Sequence, residues 1–168
     1  YIQSNHYVLG GQYIPNSGLR ITVEGFYKQY NNYPVSIANG SSLANQGTQF
    51  GSIGSEAVSS TGKGQTYGAE LFIQQKLVKN LFYVVSYTYV RSLFSGLNGE
   101  LVASAWDNQH LVSGTLGYKF NKNWKVGAKY RFAGGVPYTP FDEAASRRNF
   151  PTLGQGSLDF NRLNEVRL

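Results

Sequence analysis

The sequence predicts an all-β protein, an antiparallel transmembrane β-barrel segment of about six strands. Three observations predict it. Stretches near 6–14, 19–30, 65–77, 81–92, 108–120 and 124–132 alternate apolar residues with small, polar or charged ones. Side chains alternate across a strand, so each stretch has one apolar, aromatic face and one polar face. The connections alternate in length: tight turns at 15–18, 78–80 and 121–123, long segments at 31–64, 93–107 and 133–168. The composition is Tyr-, Phe- and Gly-rich (13, 10 and 20 of 168 residues) yet only 14% charged. Alternating membrane strands produce that mixture, because only every second residue meets lipid.

The strands follow in order. In 6–14, Tyr7, Leu9, Gly11 and Tyr13 share a face. Pro15-Asn16-Ser17-Gly18 turns the chain, Pro setting φ and Gly accepting positive φ. In 19–30, Leu19, Ile21, Val23, Gly25 and Tyr27 oppose Arg20, Thr22, Glu24, Phe26, Lys28 and Tyr30. Segment 31–64 is small, polar and almost uncharged, and reads as a long loop without strands. In 65–77, Tyr67, Ala69, Leu71, Ile73 and Leu77 face outward. In 81–92, Leu81, Tyr83, Val85, Tyr87 and Tyr89 do, while the other face (Phe82, Val84, Ser86, Thr88, Val90) is apolar enough to suggest a packed interior. The hairpin 108–132 has Val112, Gly114, Leu116, Tyr118 and Phe120 on one face of its first strand and Trp124, Val126, Ala128, Tyr130 and Phe132 on one face of its second. Segment 133–168 is polar and lacks strand periodicity.

No apolar run approaches eighteen residues, which excludes a transmembrane helix. No signal-peptide pattern is visible, so the segment reads as mature or internal. The absence of Cys excludes a disulfide framework and thiolate metal sites. The net charge of +6 is dispersed, Arg147-Arg148 aside, so nucleic acid is not an expected partner. A soluble antiparallel sandwich gives the same alternation in single strands. Six long strands with loops sorted by edge favour outer-membrane barrels, whose periplasmic turns are short and extracellular loops long. Closed barrels need about eight strands, and lipid does not tolerate open edges. Further strands are therefore expected before Tyr1 and after Leu168, or from other chains, making 1–168 a fragment of one barrel domain.

The stretches GQTYGAELFIQQKL…NLFYVVSYTYVRS at 64–92, WDNQHLVSGTLGYKFNKNWKVGAKYRFAGGVPYTPFD at 106–142 and NRLNEVRL at 161–168 resemble the C-terminal barrel region of TonB-dependent outer-membrane receptors of the kind common in Bacteroidetes. HYVLGGQYI…LRITVEGFYKQYNNYPV at 6–35 resembles the strand pair just upstream. The resemblance implies a barrel of about twenty-two strands with a plugged lumen. It places a plug domain and an energy-coupling box outside this chain. Gln109 stands in DNQH where such receptors more often carry Arg.

The charges on the polar face are the first candidate site: Arg20, Glu24, Lys28, Glu70, Lys125, Lys129 and Arg131, with Lys76 and Lys119 beside them. In lipid each is costly; in a lumen they pair with one another or with a plug, or line a solute path. The set holds seven cations and two anions, which suits an anionic solute or an acidic plug surface. The second candidate is a set of loop aromatics able to hold a ligand: Trp106, Tyr138 and Phe141. The two His have no ligand spacing, and Ser86, Asp107 and His110 lack a nucleophile turn, so neither a metal site, a cofactor nor an enzyme is expected. His110 reads instead as a structural hydrogen-bonding residue. By the resemblance, the function is TonB-dependent import of a scarce solute (metal chelate, oligosaccharide or peptide) across the outer membrane. The implied partners are outer-membrane lipid, the plug, the TonB complex and a surface lipoprotein. A non-transporting accessory barrel subunit of a surface complex, or a passive porin, is the alternative.

Overall fold

The computed structural model describes residues 1–47 and 54–167. One seven-stranded antiparallel sheet dominates. Its strands are β1 (Gln3–Asn16), β2 (Leu19–Ser36), β3 (Val58–Val78), β4 (Leu81–Ser95), β5 (Leu101–Ala103), β6 (Gln109–Lys119) and β7 (Lys125–Ala133). The order is β1-β2-β3-β4-β6-β7, with β5 also on β4. Each long strand thus pairs with the long strand before it, β5 and β6 both lying on β4, and no connection crosses the sheet.

The tight turns have local chemical causes. Asn16 Oδ1 accepts from the backbone N–H groups of Gly18 and Leu19 at 2.9 and 3.0 Å. Asn121 Oδ1 does the same for Asn123 and Trp124, both at 2.9 Å. Such Asx geometry imitates a backbone turn. Lys79 and Asn80 both take positive φ, 46° and 72°, the signature of the two-residue turn whose twist matches its strands.

The register brings the apolar positions of all six long strands onto one face. One row reads Gly11–Val23–Leu71–Tyr87–Val112–Phe132, and the next Tyr13–Ile21–Ile73–Val85–Gly114–Tyr130. A row of tyrosines, Tyr7–Tyr27–Tyr67, bounds this face away from the tight turns. Leu19 to Tyr27 measures roughly 27 Å along β2 at about 3.4 Å per residue. Tilted by about 35–45°, that length covers roughly 20 Å of an outward apolar band about 25 Å tall. The exposure of Leu9, Tyr13, Val23, Leu116, Val126 and Tyr130 would be unfavourable in water and is what lipid contact requires.

The long connections hold more structure than the alternation indicates. The expected loop 31–64 is shortened from both ends, because β2 runs on to Ser36 and β3 begins at Val58. Its extra residues mix Tyr33, Pro34 and Val35 with small polar residues around a bulge, so they carry no alternation, yet their backbone pairs: Tyr33 with Gly62, Val35 with Ser59. A bulge also precedes them, with Asn32 at φ 58°. The part of that loop at 48–53 lies outside the described residues. Segment 93–107 contains β5, which continues the lane of β6 along β4. Segment 133–168 contains β8 (Pro137–Tyr138), β9 (Phe141–Asp142), helix α1 (Glu143–Leu153), β10 (Ser157–Leu158) and β11 (Val166–Arg167). Asp142 caps α1 by accepting from Ala145 N–H at 2.8 Å, and Gly154 ends it at φ 67°. Buried residues concentrate in these connections: Val35, Ala44, Asn45, Phe94, Ser104, Asp107, Thr139 and Asn164.

The polar face is tiled by aromatic rings lying over glycines. Phe26 covers Gly68, and Phe82 covers Gly117. This explains the apolar character of that side of β4. A Cβ on Gly68 would run into the carbonyl oxygen of Tyr89 and the Phe26 ring, whereas one on Gly114 would meet nothing. Gly68→Ala is therefore expected to destabilise the sheet by about 1–3 kcal/mol, the usual cost of overpacking. Gly114→Ala is expected to be neutral. Urea titration of the folded receptor in detergent distinguishes the two.

Candidate functional site

All seven charges singled out in the sequence lie on the polar face, opposite the apolar rows, and they fall into separate groups. On β1–β3, Glu24 stands directly across from Glu70. Both line a pocket of about 410 Å³ with Gln12, Arg20, Thr22 and Phe72. The Arg20 guanidinium lies 5.2 Å from the centre of the Phe72 ring, and Lys28 Nζ 5.9 Å from that of Phe26. Both are cation–π distances. On β6–β7 the face is basic: Lys125 opposes Lys119, Lys129 opposes Thr115 and Arg131 opposes Ser113. Among the described residues none of these charges forms an ion pair. Of the roles open to them, pairing with one another is not the one these strands show. Their register sets like beside like, Glu24 with Glu70 and Lys119 with Lys125, a cross-strand arrangement that repels.

Beyond the tyrosine row the polar face becomes an aromatic rim. Phe94 is only 2% exposed and lies against Tyr33 (ring centres 4.5 Å apart), Tyr30 (5.3 Å) and Trp106 (5.9 Å, edge-on). Trp106 remains 48% exposed and presents the free ring of this cluster. Burial, with Tyr30 beside it, pushes the Tyr33 phenol above its ordinary pKa, so its hydroxyl stays neutral. Tyr138 is half-buried in β8, and Phe141 is exposed in β9. Among the described residues neither stacks on Trp106. The sequence marks Trp106 as a loop aromatic but not Tyr33 or Phe94, which fall in the segments 31–64 and 93–107 read as loops.

The rim is fixed by one buried carboxylate. Asp107 is fully buried. Its Oδ1 accepts from Ser92 N–H at 2.8 Å, its Oδ2 from Arg91 Nε at 3.2 Å, and Arg167 also donates to it. The Ser92 carbonyl meanwhile accepts from Ser104 N–H at 2.8 Å. Asp107 thus fills the gap between β5 and β6, where Ser92 would otherwise lose its ladder partner. Gln109 follows at φ 63°, a left-handed conformation costing about 1–2 kcal/mol for a residue with a side chain. His110 Nδ1 and the Tyr87 hydroxyl form a 2.9 Å hydrogen bond on the apolar side. Ser86 faces the other way, across from Ser113. Ser86, Asp107 and His110 therefore do not assemble.

A two-faced antiparallel sheet, apolar outward and basic with aromatics inward, its connections sorted by edge, is part of the wall of an outer-membrane β-barrel. The family described as "TonB dependent receptor-like, beta-barrel" matches residues 2–163, and the chain belongs to it. That family is one of outer-membrane receptors that work with TonB and a plug. No curated protein matches the chain.

Proposed function

We propose that this chain forms part of the wall of an energy-coupled importer that takes a scarce solute, such as a metal chelate, oligosaccharide or peptide, across the outer membrane. The supporting observation is the division of labour on the inward face. An aromatic rim of Trp106, Phe94, Tyr33 and Tyr30, half-exposed at Trp106, stands above a wall that is basic on β6–β7. In this reading the long connections are extracellular and the tight turns periplasmic. The rim captures the solute, TonB pulls on the plug, and the solute passes along the wall. Aromatic rings give contact area at low entropic cost. Unpaired lysines and an arginine attract anionic groups and the plug's own carboxylates. A surface lipoprotein over the rim is the partner this reading favours.

The test is uptake by cells carrying the whole receptor. Accumulation should stop when the proton gradient is dissipated. Gradient-independent uptake, or none, would overturn the proposal. Lys129→Glu with Arg131→Glu is expected to slow uptake of an anionic solute about tenfold, roughly 1.4 kcal/mol. Initial rates with anionic and neutral solutes check it, and equal slowing of both would count against a solute path.

A further inference from the structure

The apolar face has a sharp upper boundary. Tyr7, Tyr27 and Tyr67 form one cross-strand row. One step farther from the tight turns, the next row on the same face is Asn5–Gln29–Gln65. Beyond that, Gln3 pairs with Asn31, and Lys63 and Thr61 continue this face on β3. The tip of the β4–β5 hairpin stands beside these rows and closes a pocket of about 370 Å³. Its lining includes Tyr27, Gln29, Asn31, Lys63, Gln65 and Leu101. The volume falls within the usual range for small-molecule sites, about 300–1,000 Å³.

Three features define what this pocket suits. Its side chains Tyr27, Gln29, Lys63 and Gln65 continue the apolar, outward face, and Tyr30 of the aromatic rim borders the pocket. It begins at a tyrosine row, and tyrosine rows mark the interface between the acyl region and the headgroups. Its chemistry is that of saccharide recognition: two phenol rings (Tyr27 and Tyr30), three amides, the hydroxyls of Thr61 and Ser95, and an apolar edge at Leu97 and Leu101. The Tyr27 hydroxyl donates to Gln65 Oε1 at 3.3 Å, which orients that amide with its NH₂ donors free. Lys63 is the only charged side chain in the lining, and among the described residues it forms no ion pair. An ammonium in an otherwise neutral pocket at headgroup height lacks a counter-anion.

We infer that this pocket binds the phosphorylated saccharide headgroup of an outer-leaflet glycolipid. Lys63 pairs with the phosphate, Gln29, Asn31 and Gln65 hydrogen-bond the sugar hydroxyls, and Tyr27 lies under the first acyl carbons. The site holds a lipid in place at the wall whether or not the barrel imports anything.

The experiment uses the whole receptor, purified from cells in mild detergent, with retained glycolipid counted per protein by native mass spectrometry. Wild type is expected to keep bound glycolipid. Lys63→Glu should reduce it about tenfold, since reversal replaces attraction to the phosphate with repulsion. Gln29→Ala with Gln65→Ala should reduce it severalfold. Lys122→Glu, in the 121–123 turn at the opposite edge, should leave it unchanged. Added glycolipid should restore occupancy in stripped wild type, and inorganic phosphate should not compete. Equal retention in wild type and Lys63→Glu would overturn the inference. So would capture of phosphate without glycolipid, or loss of a co-purifying protein rather than of lipid.

Discussion

Asp107→Ala is expected to open the rim while leaving the barrel wall intact. The substitution removes the acceptor of Ser92 N–H and the anion shared by Arg91 and Arg167. Two guanidinium groups are left beside a buried gap, and breaking such a pair costs about 3 kcal/mol or more. Local opening should then speed amide exchange at Ser92, Ser104 and Ala105 by roughly a hundredfold. Residues 134–167 should become more protease-sensitive, because Arg167 then ties β11 and its partner β8 to the wall only through the backbone carbonyls of residue 107 and Gly135. Asp107→Asn keeps an oxygen for Ser92 N–H but loses the charge and turns an NH₂ donor toward Arg91 and Arg167, so a smaller cost of about 1–2 kcal/mol is expected, from the guanidinium side alone. Equal exchange in both variants would show that the charge, not the backbone acceptor, holds the rim. Unchanged exchange in both would show that Asp107 holds nothing.

The second large effect lies at the centre of the apolar face. Val85 sits in the row Ile73–Val85–Gly114–Tyr130, between the tyrosine row and the tight turns. Val85→Arg is expected to destabilise the folded receptor in a bilayer by about 2–4 kcal/mol, the cost of Arg at the membrane midplane. Ser86→Arg, one residue on, points to the other face and should cost far less. Reversible unfolding in liposomes measures both. Equal penalties would mean that the face assignment is wrong.

The two faces were legible in the sequence because a strand repeats every second residue, and an apolar–polar alternation as regular as 19–27 or 111–118 has no other economical reading. The tight turns were legible for the same local reason, as Asn16 and Asn121 act within three residues. The rim was not. Asp107 meets Arg167 across sixty positions, and Asn164 reaches the Asn45 carbonyl across 119. Nothing local announces such contacts. Helix α1 carried its signals, Asp142 before it and Gly154 after it, but Pro151 inside it and the lack of an apolar stripe hid the element between them. Of the candidate site, the side on which each charge lies followed from parity alone. That Glu24 faces Glu70, and that Phe26 and Phe82 roof glycines, depended on the register between strands.

The sheet order has a consequence for how such a wall is made. Every main strand of the wall lies beside its predecessor in the chain, β5 and β6 sharing one lane along β4. The wall can therefore be laid down hairpin by hairpin as the polypeptide is delivered, without waiting for a distant segment. Sequence-local pairing of this kind favours rapid assembly. The growing margins are the weak points. Among the described residues β1 and β7 each pair on one side only, leaving a row of backbone donors and acceptors that hydrocarbon does not satisfy. Assembly must keep a templating strand at each margin until the cylinder closes. A stall at the turn between β6 and β7 would expose a sticky edge to other nascent barrels rather than a merely unfinished one.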